Sequence, residues 1–179
     1  SISVDTIGPT LGQQLLKGSV VSLVVSFIGI AAYITLRYDG VFAFLALFAL
    51  GHDVLITCGA FAWLGLIAGV EVDSLFAVSL ITVAGYSVTD TVVVFDRIRE
   101  TLQMKRGEVE DVMNVAINAT LSRTLLTSIT TFVAVFVLWI FGGPALKAFS
   151  FAIMIGVVVG TYSSIFVASP IVLLWSRAR

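Results

Sequence analysis

Five long apolar stretches with few charged positions alternate with polar connectors along the chain. The stretches are residues 14–36, 41–67, 74–95, 123–140 and 146–175. A helix that crosses a hydrocarbon core of about 30 Å needs about 20 apolar residues, so each stretch is predicted to span a membrane. The last one is long enough to tilt or to project beyond the bilayer. The pattern predicts an all-α fold, a polytopic membrane helix bundle with five transmembrane helices.

One connector, residues 96–122, is longer than the others and charged, so it has room for structure of its own. The apolar positions that recur there at helical spacing are Val109, Val112, Met113, Ala116, Ile117 and Thr120. Acids such as Glu110 and Asp111 occupy the opposite face, as in an amphipathic helix. We expect a cytoplasmic amphipathic helix along the inner membrane surface or against the bundle. The pattern leaves open whether it only closes the loop or docks a partner.

The composition supports a membrane protein. Charged residues make up 12% of the chain, about half of the usual quarter in soluble domains, and hydrophobic residues make up 59%. A net charge of -1 offers no basic excess for phosphates, which excludes nucleic acid as a primary partner. The single cysteine, Cys58, excludes an internal disulfide and a thiolate metal cluster.

Lysine and arginine are unevenly distributed between the two ends of the predicted spans. One side is predicted to hold Arg37, Arg97, Arg99, Lys105, Arg106, Arg177 and Arg179, against Lys17 and Lys147 on the other. The positive excess marks the cytoplasmic side, so the N-terminus is predicted outside and the C-terminus inside. The chain begins with Ser1, and residues 1–14 lack the pattern of a signal peptide. We therefore expect a trimmed or mid-protein start.

Small residues follow one face of the last span. They recur every four residues, at Ala152, Gly156, Gly160, Ser164 and Ala168. Such a face lets another helix backbone approach closely in lipid, so helix packing is favoured over substrate contact. The first span has a shorter version at Gly18, Ser22 and Ser26.

Four ionisable residues of the spans are candidates for a functional role: His52, Asp53, Asp90 and Arg123. A charge at mid-helix costs about 2.5 to 3.5 kcal/mol on insertion scales, so each one suggests a function. The spacing places His52 and Asp53 near the midplane. Asp90, near the inner leaflet, and Arg123, at the start of the fourth span, are matched in depth and opposite in charge.

Hydroxyl groups extend this pair along two helical faces. The third span carries Ser79, Thr82, Tyr86 and Thr89 before Asp90, and the fourth carries Thr124, Thr127, Ser128 and Thr131 after Arg123. The two faces are predicted to hydrogen-bond each other or to hold a chain of ordered water. A switching pair and a fixed ion pair remain equally open, as do a packing role and a functional role for His52.

Several motifs together resemble the SecF family of protein-export membrane subunits. They are VDTIGPTLG at 4–12, GHDVLIT at 51–57, GYSVTDTVVVFDRIRE at 85–100, LSRTLLTS at 121–128 and GTYSSIF at 160–166. The resemblance implies an RND-like transmembrane half, spanning residues 1–179, in the inner membrane of a bacterium. In that family a further helix and a periplasmic domain precede the point where this chain begins, so both are expected to be absent here.

The resemblance also implies a function and partners. The family pairs with SecD, associates with the SecYEG channel and YidC, and uses the proton gradient to assist the export of preproteins. Its relay acid corresponds to Asp90 and its relay arginine to Arg123, with SecD supplying a further acid. His52 and Asp53 match a family motif without an assigned step. Thr82, Tyr86, Thr89 and Thr127 are accessory polar candidates.

No cofactor or metal is expected beyond the coupling proton, and the chain is not expected to be an enzyme. Two alternatives remain at this stage. One is an intramembrane aspartyl protease, because Asp53 and Asp90 lie on neighbouring spans and two acids can share a proton. The other is a purely structural scaffold of the translocon, in which Asp90 and Arg123 form a permanent ion pair.

Overall fold

A computed structural model describes residues 9–104 and 108–177 of the chain, and these residues fold into a helix bundle. The helices are α1 (Pro9–Arg37), α2 (Gly40–Ala68), α3 (Ser74–Met104), α4 (Val109–Phe141), α5 (Pro144–Ser163) and α6 (Ser169–Arg177). A π-helical turn, Ser164–Ala168, joins α5 to α6. The segments α5, the π-helical turn and α6 therefore form one long helix. Five helical segments are long and apolar enough to cross a membrane, which confirms the prediction of five spans.

The short turns between helices follow from local chemistry. Gly69 ends α2 with φ of 64°, a left-handed conformation that glycine adopts without a Cβ penalty. Asp73 Oδ1 then accepts the backbone N–H of Phe76 at 3.0 Å in the first turn of α3. Pro144 opens α5, where its missing N–H has no partner to lose.

The turn between α1 and α2 is tied to α3 by side chains. The Tyr38 hydroxyl donates to the Val92 carbonyl at 3.3 Å, and Arg37 lies 3.5 Å from the Asp96 carboxylate. Burial raises the pKa of Tyr38, with a further increase from a hydrogen bond to Asp96. The phenol therefore remains a protonated donor at any physiological pH.

The charged connector is more helical than the sequence pattern suggested. Residues 96–104 continue α3, and the predicted amphipathic helix forms the first half of α4, continuous with the fourth span. Gly107 is the only helix-breaking residue between 96 and 122, and it lies outside the described residues. The apolar face packs against the bundle through Val112, Met113 and Ala116, all of them buried.

This packing predicts a difference between two neighbouring positions on α4. Met113 is 3% exposed in the hydrophobic core, whereas Val115 is 42% exposed. Met113→Ala is expected to lower the free energy of unfolding by about 2 to 5 kcal/mol because it leaves a cavity. Val115→Ala is expected to change it by less than about 0.5 kcal/mol. Thermal unfolding of both variants in detergent measures the difference, and equal effects would mean that this face does not pack on the bundle.

The centre of the bundle is α3, which packs against α1, α2, α4 and α5. One core cluster surrounds Phe95 and Ile98 and includes Leu50 from α2. A second cluster joins Val83 of α3 to Ile153 and Val157 of α5. Because α3 contacts all of its neighbours, polar groups on its different faces meet different helices.

Helix α1 packs differently from the expectation drawn from its small residues. Gly18 and Ser22 are exposed, and a Cβ added at Gly18 would meet nothing within 4 Å. This face borders a cavity whose opposite wall is formed by residues of α3 such as Val78, so the two helices are not in close backbone contact there. The second half of α1 packs more tightly, and its Ile34 is fully buried in the core.

The predicted last span is one continuous helix with an altered turn rather than a uniform α-helix. Pro170 lacks the N–H that would bond to the Phe166 carbonyl, and its ring crowds that carbonyl. The π-helical turn before it widens the spacing, and the Ser169 hydroxyl donates to the Ser164 carbonyl at 2.9 Å. The altered turn begins directly after Ser163.

Candidate functional site

Asp90 and Arg123 face the same polar cavity between α3 and α4. The cavity measures about 270 Å³. Its lining residues are Tyr86, Thr89, Asp90, Val93, Arg123, Thr124, Thr127 and Thr131. Asp90 is 6% exposed, whereas Arg123 is exposed at the side of α4. Asp90 and Arg123, which were predicted to lie at matching depth, therefore lie at one site.

The site is not closed by an ion pair. Among the described residues, no contact of 4.0 Å or less joins the Asp90 carboxylate to the Arg123 guanidinium. Asp90 Oδ2 is buried and has no hydrogen-bond partner. This arrangement differs from the permanent pair of the scaffold alternative, because the acid and the base are separated by the cavity.

Unpartnered polar atoms make the cavity a site for water. The cavity is lined by Asp90 and Thr124, and Thr91 follows Asp90 on α3. Three buried atoms have no hydrogen-bond partner in the described chain: Asp90 Oδ2 and the hydroxyl oxygens of Thr91 and Thr124. Buried polar atoms are normally satisfied by protein or by ordered water. A volume of this size accommodates several water molecules, since each occupies about 30 Å³ in the liquid.

The hydroxyl-bearing faces of α3 and α4 contact each other through one hydrogen-bond network rather than along their whole length. Tyr86 on α3 donates to Ser128 Oγ on α4 at 2.8 Å, and Ser128 lies 2.6 Å from Thr161 Oγ1 on α5. Thr89 and Thr127 line the cavity, but each donates to a carbonyl of its own helix. Thr82 is exposed, donates to the Val78 carbonyl and does not line the cavity.

Asp53 is the centre of a second polar cluster, on the other side of α3. Its side chain is fully buried. Oδ1 lies 2.9 Å from His52 Nδ1, and Oδ2 accepts hydrogen bonds from Ser87 on α3 at 2.5 Å and from Ser163 on α5 at 2.7 Å. The carboxylate therefore joins three helices.

Sequence reasoning missed Ser87 and Ser163. Ser87 lies within a quoted motif but off the hydroxyl face assigned to α3, and Ser163 lies beside the small-residue stripe of α5. A signal was present, since each serine is one of few polar groups in an apolar segment and needs a partner in lipid. The partner's identity depends on helix rotation, which the sequence alone does not fix.

The two acids do not form a catalytic pair. Both oxygens of Asp53 are bonded to other side chains, and in the described chain no hydrogen bond joins its carboxylate to that of Asp90. An aspartyl protease needs two carboxylates that share a proton. The geometry does not support that alternative.

Glycines of α5 bring this helix close to α3. A Cβ added at Gly156 would overlap the side chain of Val83, and one at Gly160 would lie 3.2 Å from Ser87 Cβ. Ser164, which follows Gly156 and Gly160 in the predicted packing set, is buried and donates to the Thr161 carbonyl at 3.0 Å. The close approach places Ser163 within reach of Asp53.

Comparison with known sequences gives one family. The profile described as protein export membrane protein SecD/SecF, C-terminal, matches residues 1–178. A relative from Prochlorococcus marinus, protein translocase subunit SecF, is 55% identical over 164 residues, 91% of this chain and 51% of the relative. The protein of the same name from Synechocystis is 46% identical over 180 residues, 100% of this chain and 57% of the relative. The chain thus spans about half the length of these curated relatives.

Two solved structures resemble the fold. The crystal structure of SecDF from Thermus thermophilus, described as a translocon-associated membrane protein, matches 95% of this chain with a TM-score of 0.86 and 38% identity. SecDF in the super-membrane-facing form matches 97% with a TM-score of 0.79 and 37% identity. Each match covers 23% of the SecDF chain. The helix bundle therefore has the architecture of part of the SecDF membrane region.

Proposed function

The chain belongs to the SecD/SecF family of protein-export membrane proteins, and on this basis we propose that it is the membrane part of a SecF subunit that uses a proton gradient to assist preprotein translocation. Relatives named as protein translocase subunits support the transport role. The proposal does not require catalysis of a covalent reaction.

One observation carries the proton coupling: Asp90 and Arg123 face one polar cavity without forming an ion pair. An intramembrane acid is costly and is normally retained for function. An acid next to space for water is able to exchange a proton, whereas an acid locked to a guanidinium is not. The unpartnered oxygen of Asp90 is the atom placed to take up that proton.

The proposed cycle follows from charge. When Asp90 is ionised, it attracts the permanently charged Arg123 across the cavity and draws α3 and α4 together. When Asp90 takes a proton from water in the cavity, the attraction is lost and the helices separate. Proton uptake and release thereby drive a change in the packing of α3 against α4. Tyr86 and Ser128 bond the same two helices and limit how far they separate.

The partners and the topology belong to the same proposal. SecD is the expected partner, because the similar solved structures contain SecDF in one chain. SecYEG and YidC, with the preprotein in transit, complete the proposed assembly in the bacterial inner membrane. The distribution of lysine and arginine supports an outside N-terminus and a cytoplasmic C-terminus for this chain.

Replacement of Arg123 by methionine tests the proposal. Arg123→Met, made in the full-length subunit with SecD, is expected to abolish the gradient-dependent part of preprotein translocation into membrane vesicles and to leave the gradient-independent part intact. Methionine keeps an unbranched, flexible side chain in place of the arginine stem but removes the charge that responds to Asp90. Translocation is measured with and without an imposed proton gradient.

Arg99→Met is the matched control, because Arg99 lies on the extension of α3 and does not line the cavity. It is expected to retain the gradient-dependent part. If Arg123→Met assembles with SecD and retains full stimulation by the gradient, the relay proposal is wrong and the subunit is a scaffold.

A further inference from the structure

We propose that His52 and Asp53 form a second proton-binding site in this chain, separate from Asp90. Three observations carry this inference: the complete burial of the Asp53 carboxylate, its contact with a histidine, and its lack of a cationic partner. A role for this proton in the transport cycle rests on the function proposed above. The presence of the proton does not.

The hydrogen bonds leave the carboxylate with defined partners. Ser87 and Ser163 both donate to Oδ2, at 2.5 Å and 2.7 Å. Oδ1 has a single side-chain partner, His52 Nδ1, at 2.9 Å. A proton on the line between Nδ1 and Oδ1 is needed for this contact to be a hydrogen bond, whichever of the two atoms carries it.

The charge balance favours the uptake of a proton at this site. Asp53 has no exposed surface, and in the part of the chain that the structure describes no lysine or arginine forms an ion pair with it. A buried carboxylate without a compensating charge is strongly unfavourable. Among the described side chains that contact Asp53, His52 is the one able to supply the charge, and it does so by taking up a proton.

The proton steps are balanced. In the unloaded form Asp53 is ionised and His52 is neutral, with its proton on Nδ1. A proton from water then binds Nε2, and the pair becomes neutral overall as imidazolium and carboxylate. Transfer of the Nδ1 proton to Oδ1 gives a neutral imidazole, protonated on Nε2, beside a carboxylic acid. Release of the proton reverses these steps.

Among the described residues that contact the Asp53 carboxylate, the imidazole ring of His52 is the exposed one. The side chain of His52 is 29% exposed, whereas that of Asp53 is not exposed at all. A proton that reaches the buried carboxylate must therefore pass through the ring, from Nε2 to Nδ1. This is the arrangement by which histidine carries protons between an outside donor and an internal acid.

Other ionisable groups on the surrounding helices do not compete for this position. The ionisable residues nearest in sequence to Asp53 and its two serine partners are Cys58 on α2, Tyr86 and Asp90 on α3, and Tyr162 on α5, and α1 carries Lys17, Tyr33 and Arg37. None of them is within hydrogen-bond distance of the Asp53 carboxylate in the described residues. The hydroxyl of Tyr86 instead donates to Ser128.

The site differs from that of Asp90 in position and in partners. Ser87 and Asp90 are three residues apart on α3, which is about 4.5 Å along the helix axis. Ser87 points to Asp53 on α2 and to α5, whereas Asp90 lines the cavity toward α4. The two acids thus lie on different sides of one helix and within about one helical turn of each other in depth, closer than their positions along the two spans predicted.

The test follows the imidazole and the carboxyl group together. The full-length subunit with SecD is placed in lipid nanodiscs, labelled with ¹⁵N-histidine for NMR and examined in parallel by infrared spectroscopy across pH. His52→Asn and Asp53→Asn identify the two signals by their loss. Because one shared proton serves both groups, the imidazole signal and the carboxyl band are expected to change together at one pH.

Two variants distinguish a shared proton from hydrogen bonds that only hold the helices together. In His52→Asn the amide can still donate toward Asp53, but it cannot bind a proton, so the pH-dependent change of the carboxyl band is expected to be lost. In Ser163→Ala one donor is removed while the contact between His52 and Asp53 remains, so the joint change is expected to persist. If the two signals of the wild-type protein change at separate pH values, or neither changes, the inference is overturned.

Translocation measured on the same variants connects this site to function. His52→Asn is expected to lose stimulation by the proton gradient. The control Ser150→Ala removes a hydroxyl of α5 that donates to the Leu146 carbonyl of the same helix, and it is expected to retain the stimulation. Asp90→Asn in the same assay tests the proposed function alone. If that variant retains the stimulation, the proposed function is wrong, whatever the NMR and infrared spectra of His52 and Asp53 show. A joint change in the spectra combined with normal translocation by His52→Asn would establish the proton site and exclude it from the cycle.

Discussion

Asp90→Asn is expected to abolish the gradient-dependent part of preprotein translocation while association with SecD is retained. Asparagine has nearly the same size and polarity as aspartate, so the cavity between α3 and α4 keeps its shape. It cannot ionise, so Arg123 loses the charge that alternately attracts and releases it. The measurement is translocation into vesicles with and without an imposed proton gradient, after co-purification with SecD has been verified.

Asp96→Asn is the matched control for this experiment. Asp96 lies on the same helix, and its carboxylate pairs with exposed Arg37 at 3.5 Å, away from the cavity. Pairs of this kind contribute about 0 to 1 kcal/mol, so the control is expected to translocate normally. Normal stimulation in Asp90→Asn itself would refute the relay.

The spans and the cavity residues were predictable because they depend on local pattern. Apolar length gave five spans, and helical spacing gave the buried face of Val112 and Met113. Depth within a span also brought Asp90 and Arg123 to one site, since both positions are counted from the helix ends. Each of these inferences needs only the neighbours of a residue along its own helix.

The distance between Asp90 and Arg123 was not predictable in the same way. Opposite charges at equal depth suggested either a closed pair or a switch, and the described structure holds them apart. Their separation depends on the rotation of α4, which is set by contacts such as Tyr86 with Ser128. A one-helix pattern contains no information about that rotation.

The hydrogen-bonded cluster around Asp53 could not be predicted from the sequence for a related reason. Its partners are 34 and 110 residues away in sequence, on α3 and α5. Nothing in the spacing of one helix selects Ser87 and Ser163 over the other hydroxyl groups of the same spans. The altered turn after Ser163 differs from this cluster because a local residue causes it. Pro170 cannot donate a backbone hydrogen bond, so the sequence itself indicates an interrupted helix there.

The two polar sites are connected through the packing of α3. One face of this helix carries Ser87 toward Asp53, and another carries Asp90 toward Arg123. A movement of α3 itself against α4 would therefore also move Ser87 relative to α2 and α5. The glycines of α5 permit this arrangement because they allow α3 to lie against the backbone of α5.

Gly156→Ala is expected to destabilise the bundle more than any other small substitution on α5. The added methyl would overlap Val83, whose side chain is fully buried and has no space into which to move. Overpacking of this kind costs about 1 to 3 kcal/mol. Alanine would otherwise stabilise a helix by roughly 0.5 to 1 kcal/mol relative to glycine, so a loss of stability must come from the contact. Unfolding of the purified subunit in detergent measures the change.

Gly59→Ala is the control, because a Cβ at Gly59 on α2 would meet nothing within 4 Å. It is expected to be neutral or slightly stabilising. Val83→Ala combined with Gly156→Ala removes the methyl groups that the new side chain strikes, and the pair is expected to be more stable than the sum of the single changes. Additive losses, or a Gly156→Ala variant as stable as Gly59→Ala, would contradict the close approach.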